Sequence, residues 1–161
     1  MGQYAVTILI AAVLIVFIIY QQVRTRPLNP RQLVVLPLFL AALGVVNLNQ
    51  HPPASAAAGG ALAASVIIAV VLGIARGITT RVWWADGVLL RKGTAITLVL
   101  WVVSIGLRLL IGLVARRGGV PLSVTTGEIP LFLGVTLAAQ NLVIWMHGQE
   151  VPVPAAEQPV M

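Results

Sequence analysis

Residues 94–115 form a helix-length apolar stretch whose only charged residue is Arg108. A guanidinium stays protonated, and at mid-bilayer depth it costs about 2.5–3.5 kcal/mol on insertion scales. Such a segment becomes a membrane helix only if Arg108 turns toward other protein groups or trapped water. The rest of the chain is under the same constraint. Of its 161 residues, 59% are apolar and 9% charged, with a mean hydropathy of +1.01. A soluble domain carries about a quarter charged residues. Lipid must therefore solvate most of this surface, and the core must be helix against helix.

Crossing about 30 Å of hydrocarbon takes about 17–25 apolar residues at the helical rise. Five segments meet that requirement: 4–23, 30–47, 56–75, 94–115 and 129–146. The expected fold is all-α, a polytopic membrane bundle of five transmembrane helices within residues 1–147. The Pro-rich, acidic residues 148–161 are expected to form a disordered cytoplasmic tail. The first run lacks a basic region before it and a small-residue cleavage site after it, so it is expected as a retained span. Asn29 reads as an N-cap with Pro30 at the first helical position, and Pro37 should kink the second span. Thr125-Thr126-Gly127-Glu128 fits a capping-box entry to the last span.

Lysine and arginine asymmetry gives the topology. Arg24, Arg26 and Arg31 lie in the first connection and Arg81, Arg91 and Lys92 in the third, with Arg76 close by. The second connection holds no basic residue but His51, and the fourth holds Arg116 and Arg117. The positive-inside rule then places the N-terminus outside and the C-terminus in the cytoplasm. In the third connection, Asp86-Gly87 between β-prone runs predicts a short interfacial β-hairpin between the third and fourth spans. Trp83 and Trp84 would sit at headgroup depth, and Arg76, Arg81, Trp83, Trp84, Arg91 and Lys92 form a candidate headgroup or partner contact. The net charge of +6 could attract nucleic acid, but the basic residues lie beside apolar spans. Anionic lipid headgroups are the expected counterpart.

Inside the membrane, Thr97, Trp101, Ser104, Arg108 and Gly112 recur at intervals of four, three, four and four on the fourth span. They make one polar and small stripe opposite Leu98, Val102, Leu109 and Leu113. At comparable depth the fifth span carries Thr136, Gln140 and Asn141. Arg108 is expected to donate to Gln140, Asn141 or Thr136, giving a candidate intramembrane cluster of Arg108, Ser104, Trp101, Thr136, Gln140 and Asn141. Ala56, Gly60 and Ala64, with Gly59 and Ala63, form a small-residue surface for close packing on the third span. Glu128 is expected at the outer boundary as a cap, near Arg116 and Arg117.

The absence of cysteine excludes thiol–disulfide exchange and thiolate metal sites. His51 and His147 fall on opposite sides in this topology, and neither has the companions a metal site needs. Ser65 and Ser104 have no histidine at membrane depth to activate them. No HExxH, paired aspartates or phosphate loop occurs, and the spans carry no carboxylate to relay protons. No enzyme activity and no cofactor is expected.

Arg26-Pro27 leading into Leu33-Val34-Val35-Leu36-Pro37, the Arg91-Lys92-Gly93 entry to the fourth span, Leu107-Arg108-Leu109 within it, and Gly127-Glu128 before an apolar run ending at Trp145 make a recognisable set. The chain resembles the CcdC-like family of small bacterial integral membrane proteins over roughly residues 20–147. The resemblance implies a multi-span helical protein, in a group sometimes named with cytochrome c biogenesis and without an established enzymatic activity. Heavy use of Ala, Val, Arg and Pro points to a GC-rich bacterial genome and hence the bacterial cytoplasmic membrane. The expected function is a non-enzymatic accessory or scaffold in membrane protein or cytochrome c maturation, working with a membrane protein partner or as a homo-oligomer. The alternative is an oligomeric small transporter or channel subunit with an anion- or lipid-binding site at Arg108.

Overall fold

The computed structural model describes residue 20, residues 24–120 and residues 128–152. Apart from Tyr20, the expected first span lies outside the described residues, as do residues 125–127 of the expected capping box and residues 153–161 of the expected tail. Four helices among the described residues are long and apolar enough to cross a membrane: α1 (Pro30–Gln50), α2 (Ala56–Thr79), α3 (Ala95–Arg117) and α4 (Ile129–Glu150). Three short strands accompany them: β1 (Arg26–Pro27), β2 (Arg81–Ala85) and β3 (Val88–Lys92).

Local chemistry sets the helix ends. The Asn29 side chain accepts from the Arg31 amide at 3.1 Å, with Pro30 in the first turn. Ser55 caps α2 through the Ala58 amide at 3.1 Å. Thr94 and Thr97 cap α3 reciprocally, each side chain taking the other's backbone N–H. Each helix outlasts its expected span by two to four residues at its C-terminus. Most of this excess is at the strand end, where α2 reaches Thr79 and α4 reaches Glu150. The expected tail therefore contributes three residues, 148–150, to α4. Apolar surface faces outward: Val102 and Leu109 are 68% and 69% exposed, the reverse of a water-soluble bundle. These helices belong to a membrane protein.

The helices run alternately up and down. α4 is central, packed closely on both α1 and α2, and α3 lies against α2. Glycine makes both α4 contacts close. A methyl group at Gly73 would meet the Thr136 carbonyl oxygen at 2.5 Å, and one at Gly77 the Gln140 carbonyl oxygen at 2.9 Å. Gly134 faces the Ala41 backbone on α1, and Gly44 on α1 faces Leu131. This is the small-residue packing that replaces the hydrophobic effect inside lipid. The small-residue surface expected on the third span is not the packed one, since Ala56, Gly60 and Ala63 are exposed. Gly59 and Gly60 have nothing within 4 Å, whereas Ala58 packs with Ala115 and Val120.

At one end of the mostly helical bundle the expected hairpin is replaced by a three-stranded sheet. β2 and β3 pair antiparallel around Asp86-Gly87, both with positive φ (51° and 70°), and β1 adds a third strand in the order β1-β3-β2. Among the described helices this sheet falls between α2 and α3. Arg26 pairs with Arg91 in register, so the two cation-rich connections emerge at the same end.

Gly77→Leu is expected to force α2 from α4 and to destabilise the bundle by about 1–3 kcal/mol, the usual cost of overpacking. Gly60→Ala should leave stability within about 0.5 kcal/mol. Thermal unfolding of both variants in detergent, followed by circular dichroism, checks this; equal midpoints would refute the packing assignment.

Candidate functional site

The buried polar residues form two cation centres along α2, α3 and α4. On α3, Thr97, Trp101, Ser104 and Arg108 are all buried, as their spacing required. On α2, Ser65 and Arg76 are buried at 1% and 0% exposure, and on α4 Thr136 and Gln140 join them. α2 and α4 run in the same direction, so residues about 63 apart in sequence sit side by side: Ser65 by Glu128, Gly73 by Thr136, Gly77 by Gln140.

Arg108 does not take the expected amide or hydroxyl partner. Its guanidinium Nη2 forms an ion pair with Glu128 Oε1 at 2.8 Å. The Ser65 hydroxyl donates to the same carboxylate at 3.4 Å. Glu128, expected as an exposed cap, is 2% exposed and makes no side-chain cap on α4. The sequence pointed elsewhere because Glu128 precedes the apolar run. The α2–α4 register starts α4 well inside the length of α2, and this lowers its first residue to the level of Arg108. A carboxylate withdrawn from water needs a cation and hydrogen bonds together, and Arg108 and Ser65 supply them.

The second centre was missed. Arg76, grouped with the headgroup contacts, points into the bundle. Its Cζ lies 4.0 Å from the Trp101 ring centroid, and its Nη2 donates to the Thr136 hydroxyl. A stacked guanidinium contributes about 0.5–2 kcal/mol. Hydropathy placed Arg76 near a helix end, where snorkelling is normal. The available signal was the pair Gly73 and Gly77, which puts Arg76 on a face packed against α4.

Asn141, the remaining member of the expected cluster, has a separate task. Pro37 has no N–H, so the Leu33 carbonyl, four residues earlier in α1, loses its helical donor. The Asn141 amide donates to that carbonyl at 2.8 Å, while Arg91 Nη1 donates to the Asn141 side-chain oxygen at 3.4 Å. Inside lipid such a freed carbonyl must find a partner, and α1 runs through Pro37 as one helix.

Strand alternation sorts the remaining candidates. Val82, Trp84, Leu89 and Arg91 share one face of the sheet, and this face meets α4. Gly148 abuts Leu89 and Val82, and Trp84 Nε1 donates to the Val151 carbonyl at 3.1 Å. Burial and the neighbouring Arg26 cation push the Arg91 pKa below the usual arginine value. Arg81, Trp83, Leu90 and Lys92 share the opposite face, with Arg81 and Lys92 exposed. Of six expected headgroup contacts, only Arg81, Trp83 and Lys92 present this outward surface.

No family model matches the chain, and no curated protein or solved structure matches it.

Glu128→Gln is expected to leave the Arg108 charge without its carboxylate and to cost about 3–5 kcal/mol. Combining it with Arg108→Met should restore most of that loss in denaturant titrations; a double variant no more stable than Glu128→Gln alone would refute the pairing. Asn141→Ala should cost about 0.6–1.7 kcal/mol, the range for hydrogen bonds between membrane helices. Adding Pro37→Ala, which returns the missing N–H, should abolish most of that cost. Additive losses in this cycle would count against the carbonyl-capping role.

Proposed function

We propose that this protein is a non-enzymatic accessory or scaffold of the bacterial cytoplasmic membrane, with five spans, the N-terminus outside and the C-terminus inside. The observation that carries the reading is the sheet. Its inward face packs on the end of α4 through Val82, Leu89, Arg91 and Trp84, with Leu28 alongside. Its outward face carries Arg81 and Lys92, paired at the base of the hairpin, and Trp83 between them and the Asp86-Gly87 turn. A rigid cationic and aromatic platform at a membrane boundary suits anionic headgroups and a partner's juxtamembrane segment. Residues 4–23 supply the fifth span in this reading. A role in membrane protein or cytochrome c maturation follows the CcdC-like resemblance and belongs to the same proposal.

The transport alternative centred on Arg108 has less support. Glu128 and Ser65 already engage that site, and the pair ties helices together rather than lining a path.

The test compares wild type with an Arg81→Glu, Trp83→Ala, Lys92→Glu variant. Affinity capture from native membranes, with lipid and protein mass spectrometry, should recover a membrane protein partner or anionic lipid with wild type and lose it with the variant. Proteoliposomes should show no more solute flux than protein-free vesicles. Unchanged capture by the variant, or flux carried by a stable oligomer, would overturn the proposal.

A further inference from the structure

The bundle interior, among the described residues, carries more positive than negative charge. Among the described buried side chains there are two cations, Arg76 and Arg108, and one acid, Glu128, which is committed to Arg108. Arg76 is fully buried, yet the only hydrogen-bond partner of its guanidinium among the described residues is the Thr136 hydroxyl. Its Nε and Nη1 have no such partner, nor do Trp101 Nε1 and the Ser104 hydroxyl. Gln140 Oε1 is equally without one, at 5% exposure. A fixed cation and unsatisfied donors at membrane depth each cost several kcal/mol when nothing compensates them. α2 brings Arg76 against the ring of Trp101 on α3, and Ser104 follows Trp101 by about one turn of the same buried stripe.

We propose that Arg76, Trp101 and Ser104 form a binding site for a singly charged anion within the membrane bundle. The guanidinium supplies the charge and the N–H donors of Nε and Nη1, and the indole N–H and serine hydroxyl supply the others. Thr136 holds the guanidinium in place from α4, acting as a positioning residue. A carboxylate does not fill this role, because Glu128 is held at Arg108. The anion comes either from solution, as a halide, or as the phosphodiester of an anionic lipid headgroup. This site is separate from the outward sheet face, so its failure and the failure of the accessory role are read independently.

The experiment uses full-length protein in nanodiscs of phosphatidylcholine alone or with phosphatidylglycerol. Chloride is titrated against gluconate at constant ionic strength, and Tm is measured; iodide replaces chloride in a parallel tryptophan fluorescence titration. A saturable Tm rise of about 2–8 °C in phosphatidylcholine assigns a halide source. A comparable rise that appears only with phosphatidylglycerol assigns the lipid source. Arg76→Gln should lose either response. Trp101→Phe keeps the cation, so it should retain part of the Tm rise while losing any saturable component of iodide quenching. The exposed Arg117→Gln should behave as wild type. If wild type shows no saturable response in any arm, or if Arg76→Gln retains it, the site does not exist. Should Arg76→Gln fail to fold, Trp101→Phe decides: in the halide case quenching unchanged by it overturns the assignment, and in the lipid case an undiminished Tm rise with phosphatidylglycerol does.

Discussion

The Arg108–Glu128 ion pair is the interaction on which the arrangement of α3 depends. α3 packs closely on α2, whereas α4 makes its close backbone contacts with α1 and α2. What joins α3 to α4 is long-range side-chain chemistry, with the 2.8 Å ion pair toward one end. In lipid, apolar surfaces have no solvent-driven reason to choose one another. A charge pair that would be marginal on a wet surface becomes a strong constraint here, because separating it would strand a charge. It selects one depth and one rotation for α3, and the other residues of the polar stripe then follow into the interior.

Close packing between α2 and α4 sets the height at which that pair forms. Gly73 and Gly77 bring the two backbones into close contact beside Thr136 and Gln140. The register places Glu128 beside Ser65 and Thr136 beside Arg76. On the other side of α4, Gly44 and Gly134 perform the same service for α1. There the reward is different: Asn141 reaches the Leu33 carbonyl released by Pro37. A proline that would break a helix in isolation is accommodated because a neighbouring helix supplies the missing donor.

At the strand end the same polar chemistry organises the connections. Thr79 and Thr80 turn back onto the Arg76 carbonyl at 3.1 and 2.8 Å, and Thr94 donates to the Thr79 carbonyl at 3.0 Å. These bonds satisfy the last carbonyls of α2 while leading the chain into and out of the hairpin. Arg26 and Arg91 face each other across β1 and β3. Like charges directly opposite are unfavourable, and the Arg91 guanidinium turns to the Asn141 side-chain oxygen.

The sequence alone determined the class of structure, the four described spans to within a few residues, the inward face of α3 and the Asp-Gly turn. Those features follow from segment hydropathy, residue spacing and local backbone preference, all of which act over a few residues. The partner of Arg108, the burial of Arg76, the office of Asn141 and the third strand were decided only by tertiary structure. Each depends on the axial register of helices distant in the chain, and that register is set by where glycines let backbones touch. Glu128 illustrates the difference: composition places it at a boundary, but the height of α4 against α2 makes it an interior charge.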